Sequence, residues 1–182
     1  NSFKKQTIYF TPVIEQMRWL GVGGYRHAIG GDIDKEFSKA TKIGLFYELN
    51  YGFNNNDMKG LIGGDLLYNP RKFGRIHAEY RNTYELLNEY ESIQSIFSRG
   101  NYVNDLLYSF GHELEIVNGL FLDVTLELGQ KKPISGIELS QWSKQVFGDF
   151  NQPTDFDPFN EVVMDVYLRY TFGQKYMTAP YK

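Results

Sequence analysis

The chain has 182 residues, with 14 Tyr, 14 Phe, 18 Gly, no Cys and a formal net charge of -3. The lack of cysteine excludes disulfides, thiolate catalysis and Cys-ligated zinc, and the scattered Lys and Arg residues form no basic patch for a nucleic-acid partner. No apolar run approaches the roughly 20 residues that a membrane-crossing helix requires. The first residue, Asn1, has no charged or apolar leader behind it, so the chain is expected either to follow a removed signal peptide or to lie within a longer protein.

Residues 7–20 and 25–33 read as two strands joined near Gly21-Val22-Gly23-Gly24. That Gly-rich turn lacks the Lys-Ser/Thr ending of a phosphate loop, so its glycines serve a tight turn. From Lys42 the alternation is regular, with Ile43, Leu45, Tyr47, Leu49, Tyr51 and Phe53 on one face and Gly44, Phe46, Glu48, Asn50 and Gly52 on the other. The run stops at Asn54-Asn55-Asn56-Asp57, a strong turn tetrad. A strand over 58–68 carries Ile62, Leu66 and Tyr68 and ends at Asn69-Pro70, where Pro cannot donate to a ladder. Residues 75–84 set Ile76, Ala78 and Tyr80 against Arg75, His77, Glu79 and Arg81.

A strand over 105–116 places Leu106, Tyr108, Phe110, Leu114 and Ile116 opposite Ser109, Gly111, Glu113 and Glu115. Val117-Asn118-Gly119 then predicts a type I′ hairpin turn, and the return strand 120–128 sets Leu120, Leu122, Val124, Leu126 and Leu128 against Asp123, Thr125 and Glu127. The clearest alternation runs from 161 to 172, with Val162, Met164, Val166, Leu168, Tyr170 and Phe172 facing one way. Strands of about eleven residues ending in aromatics match what a tilted strand needs to cross a bilayer.

These elements predict an all-β chain: an antiparallel transmembrane β-barrel of about eight strands, or a section of a larger one, as a single region over 1–182. Consecutive turns alternate between two rims. One rim collects the short turns 34–41, 69–74 and 117–119; the other collects 20–24, 54–57 and the long loops 85–104 and 131–159. Outer-membrane barrels have short periplasmic turns and long outer loops, so the second rim is expected to face outward, with both termini on the periplasmic side. Leu86, Tyr90, Ile93 and Phe97, and likewise Leu139, Trp142 and Val146, recur at helical spacing and predict a short helix in each long loop.

The face opposite the apolar one gathers Glu48, Asp65, Arg75, His77, Glu79, Arg81, Glu113, Glu115, Asp123, Glu127, Asp165 and Arg169. Both signs are present, which predicts a lumen-facing network of paired charges holding strands in register rather than a ring of one sign. Ser109, His112 and Glu113 invite comparison with a hydrolase triad, but residues 109 and 112 point to opposite faces of a regular strand. Asp149, Asp155, Asp157 and Glu161 lack EF-hand spacing and its glycine, so they read as a solvated acidic loop; no metal or cofactor is expected.

Gly23-Gly24-Tyr25-Arg26, Tyr51-Gly52-Phe53 with its Asn/Asp turn and Lys59, and Arg169-Tyr170-Thr171-Phe172-Gly173-Gln174-Lys175-Tyr176 together resemble the barrel portion of a large Bacteroidota outer-membrane family of unknown function. In that family a carboxypeptidase-regulatory-like β-sandwich precedes the barrel. The resemblance implies a bacterial outer-membrane location, outer-membrane lipid as surroundings, and further strands of the same protein or partner membrane proteins as neighbours. It carries over no catalytic residues. The expected role is structural, transport or assembly rather than enzymatic. The alternatives are a complete eight-stranded barrel binding a ligand through its long loops, a soluble lipocalin-like barrel, and a lipid-modifying outer-membrane enzyme.

Overall fold

A computed structural model describes residues 5–22, 24–38, 41–86, 102–134, 145 and 155–175. Nine strands and one helical turn follow in chain order: β1 (Gln6–Phe10), α1 (Val13–Gln16), β2 (Met17–Gly21), β3 (Gly24–Ser38), β4 (Thr41–Gly52), β5 (Asp57–Asn69), β6 (Gly74–Leu86), β7 (Tyr102–Val117), β8 (Leu120–Pro133) and β9 (Phe159–Tyr170). All belong to one antiparallel sheet, in the order β1-β3-β4-β5-β6-β7-β8-β9, with β2 pairing the other half of β3.

The strand expected over 7–20 is broken, and the break has a local cause. Thr11 still donates to Gly30 at 2.9 Å, but Pro12 has no amide proton to continue the ladder. The amides of Glu15 and Gln16 instead fold back onto the Pro12 carbonyl at 3.0 and 3.3 Å, and the Gln16 side chain donates to the Thr11 carbonyl at 2.8 Å. The result is a single helical turn separating β1, which lies along Gly31 to Lys35, from β2, which begins opposite His27. Eight strand positions remain, the first of them split.

The registers give each face its chemistry. One row across the sheet reads Ile8, Ile33, Leu45, Gly64, Ala78, Phe110, Leu126, Met164. The next row, one residue along, reads Thr7, Asp34, Gly44, Asp65, His77, Gly111, Thr125, Asp165. The first row belongs to the exposed face, where Leu45, Leu49, Ile62 and Val166 are each half or more exposed. The second belongs to the face that also holds the buried polar residues Arg26, Asn50, Asp105, Ser109 and Glu115. That face also buries Val103, Leu107 and Phe121, so large apolar side chains stand exposed on one face while charged and apolar ones are buried together on the other.

Connections alternate between rims as antiparallel order requires. By the strand ends, β3 to β4, β5 to β6 and β7 to β8 are joined at one end, where β1 starts and β9 stops, and β2 to β3, β4 to β5, β6 to β7 and β8 to β9 at the other. The strands reach further than the sequence pattern indicates, which shortens both long loops. Tyr90, Ile93, Phe97, Leu139, Trp142 and Val146, the expected loop-helix positions, lie outside the described residues. Among the described residues no ladder joins β9 to β1 or β2, so the described sheet is open.

The hairpin between β7 and β8 differs from the expected type I′ turn, because Gly119 has a positive φ of 82° while Asn118 does not. The register shifts between Glu115 and Val117, the pattern of a turn closed by a glycine bulge. The Glu115 carboxylate accepts from the Gly119 amide at 2.7 Å, and the Gly119 carbonyl accepts from Thr171 at 2.8 Å. A Cβ on Gly119 would meet the Thr171 carbonyl oxygen at 2.5 Å. Gly119→Ala is therefore expected to destabilise the chain by about 1–2 kcal/mol or more, read as a lower denaturant midpoint with unchanged slope.

Candidate functional site

All twelve charged residues singled out in the sequence fall on the inner face by register. Row by row, Glu48 lies opposite Leu61; Asp65, His77 and Asp165 share one row; Arg75, Glu113 and Asp123 share the next. Glu79 and Glu127 flank Ser109, Arg81 lies opposite Leu107, and Glu115 and Arg169 flank Phe121. Two ion pairs form within the set: Arg75 with Asp65 at 3.2 Å, and Arg81 with Glu79 at 3.9 Å.

The other members find different partners. Glu48 pairs with Arg18 of β2, and Glu115, 3% exposed, is tied to the Gly119 amide. The Arg169 guanidinium lies 4.7 Å above the Phe121 ring. The His77 imidazole lies against Gly111, 2.1 Å from where a Cβ would stand. Glu113 and Asp123 stand directly opposite each other, and neither they nor Glu127 and Asp165 form an ion pair among the described residues. Like charges placed so are unfavourable, and the Asp123 Oδ1 is buried without a hydrogen-bond partner among the described residues.

The densest polar network lies towards the long-loop rim and was not legible as a cluster in the sequence. Arg26 of β3 is 3% exposed. Its guanidinium passes over Gly52, whose missing Cβ makes the room, and grips Asp57 of β5 through two bonds of 2.8 and 3.2 Å. Its Nε donates to Asn50 of β4 at 2.8 Å and its Nη1 to the Val22 carbonyl at 3.4 Å. Tyr84 of β6 donates to Asp57 at 2.7 Å, and its ring receives Arg26 from one side at 5.2 Å and Lys59 at 4.8 Å. Lys59 also donates to Asn82 at 3.0 Å and to Asn104 of β7. Five consecutive strands are thus bound together at one height. β3 and β6 are three strand spacings apart, about 14 Å in a flat sheet. By register Arg26, Asp57 and Lys59 belong to the charged face and Asn82, Tyr84 and Asn104 to the parity of Ala78 and Tyr80, so these side chains meet where the β5/β6 ladder has ended at Gly60↔Asn82.

A second set lies below the same rim. Arg81 reaches Glu85 at 3.1 Å and the buried Asp105 at 3.6 Å, while Lys131 pairs with Glu161 at 3.1 Å. At the short-turn rim a cleft of about 790 Å³ is lined by Lys5, Asp34, Glu36, Lys42, Asp65 and Arg75, among others. Ser109 is buried on the inner face, whereas His112 stacks on Tyr68 on the exposed one, with the Tyr68 hydroxyl 2.8 Å from Nε2. The two never meet, as strand parity requires. Among the described residues no group of His, Asp and Glu could hold a metal ion.

These features define a single-sheet, all-β antiparallel domain with a polar, ion-paired inner face. The chain belongs to the Family of unknown function (DUF5686) C-terminal domain, whose family model matches residues 1–182. Compared with curated proteins and with solved structures, it matches none.

The network separates strong from weak ion pairs. Arg26→Ala strips the partner from a desolvated carboxylate and is expected to cost about 3 kcal/mol, by the usual range for breaking a buried pair. Lys42→Ala removes only the exposed pair with Glu36, 2.7 Å apart, and is expected to cost less than about 1 kcal/mol. Urea unfolding of the two variants side by side checks the contrast.

Proposed function

We propose that this domain is an outer-membrane β-barrel, or a section of a larger one, with a structural, transport or assembly role rather than a catalytic one. One observation carries the reading. The exposed face carries large apolar side chains on each strand, with Leu49 50% and Val166 59% exposed, while charged residues such as Asp105 and Glu115 are buried on the other face. Water penalises that arrangement and a bilayer rewards it.

Aromatic residues flank the aliphatic band at both ends. Tyr25, Tyr51 and Phe53 pack together near the long-loop rim, and Tyr170 meets Phe172 edge-on near the other. Girdles of this kind mark the two interfaces of membrane barrels. β9, with 12 residues, spans about 40 Å and, tilted near 45°, covers the hydrocarbon thickness. The long-loop rim faces outward on this reading, and the open edges at β9 and β1/β2 pair with further strands of the same protein or of partner membrane proteins. Unpaired backbone groups in hydrocarbon would otherwise cost several kcal/mol each. The motif resemblance further suggests a Bacteroidota protein with a β-sandwich ahead of this domain.

Fractionation of the full chain tests the proposal: it should sediment with outer membranes and resist alkaline extraction, and complete release by carbonate would contradict it. Leu49→Arg and Val166→Arg should each cost about 2–4 kcal/mol if these side chains lie near the midplane, lowering the assembled fraction. Protease added to intact cells should cut within 87–101 or 134–158 and spare the β7–β8 hairpin; cutting at the hairpin alone would reverse the orientation.

A further inference from the structure

The ladder between β5 and β6 stops early. Eight consecutive pairs run from Leu67↔Arg75 to Gly60↔Asn82, whereas β4 and β5 share eleven pairs and β6 and β7 share twelve. Continued in register, Lys59 would face Thr83 and Asp57 would face Glu85. Instead Lys59 and Asp57 pair only with Asn50 and Gly52 of β4, and Thr83 and Glu85 only with Asp105 and Val103 of β7. The sheet forks at this point, near the long-loop rim.

Side chains close the fork where backbone does not. Tyr84 on one prong bonds Asp57 on the other, Lys59 reaches across to Asn82 and Asn104, and Arg26 clasps Asp57 and stacks on Tyr84. Below the fork, β5 brings Gly60, Gly63 and Gly64 to the ladder, three residues with no side chain to pack across it. Among the described residues every other ladder from β3 to β9 is longer.

We propose that the β5/β6 junction is a latched seam: Arg26, Asp57, Tyr84 and Lys59 hold the fork shut, and when they release, the ladder parts from Gly60↔Asn82 downward. Opening there exposes the polar inner face through the wall of the sheet rather than through its ends. The inference concerns the sheet itself and stands apart from the membrane assignment.

Hydrogen exchange on the purified full chain tests it, comparing wild type with Arg26→Lys and Tyr84→Phe. Arg26→Lys keeps the charge but loses the two-pronged grip, and Tyr84→Phe removes one hydrogen bond. The expected result is exchange about tenfold faster or more in peptides covering 60–67 and 75–82 of Arg26→Lys, with β7 and β8 unchanged. A smaller increase confined to the same peptides is expected for Tyr84→Phe. Equal acceleration in both ladders, or none in either, would overturn the seam. Should Arg26→Lys fail to fold, the Tyr84→Phe result decides alone on the same criterion.

Discussion

Everything in this sheet depends on strand register. Side chains alternate with a period of two, so a slip of one residue between any two strands would carry the charged set to the apolar face. The registers of seven ladders keep Ile8, Ile33, Leu45, Phe110, Leu126 and Met164 in one row and Thr7, Asp34, Asp65, His77, Thr125 and Asp165 in the next. Side chains reinforce this. Asp65 with Arg75, Lys131 with Glu161, and His77 against Gly111 each connect adjacent strands in a way that a shifted register would break.

A single sheet with its polar face occluded needs curvature, because the described strands form no second layer. Arg26, Asp57 and Lys59 from the charged face meet Tyr84, which has the parity of Ala78 and Tyr80, at the end of the sheet where the β5/β6 ladder has stopped. At the other, Phe73 packs edge-on against Phe121 beneath Arg169. Between them Glu113 and Asp123 stand opposite each other, with Asp165 in the neighbouring inner row, and these carboxylates repel one another.

The sequence made the faces legible because alternation is local. In β4 and β9 every second residue declares its side, and the twelve charged residues share a face by the same arithmetic. What was not legible depends on neighbours distant in sequence. Arg26 sits in a run that reads only as a Gly-rich turn; its role arises because the registers bring Gly52 and Asp57 into its row. The fork likewise cannot be read from β5 or β6 alone, since each is regular and only their mutual ladder is short. The alternation over 7–20 reads as one strand, yet the one donor missing at Pro12 splits it into two.

The central claim is that the apolar face meets hydrocarbon and the charged face meets water. Spin labels placed singly along β9, from Phe159 to Tyr170 in the otherwise cysteine-free segment, test it most directly in reconstituted full-length protein. At Val162, Met164, Val166 and Leu168 the account predicts ready collision with oxygen and protection from a water-soluble nickel chelate, with the reverse at Glu161, Val163 and Asp165. Equal access of the chelate to both sets, with no period of two, would contradict it.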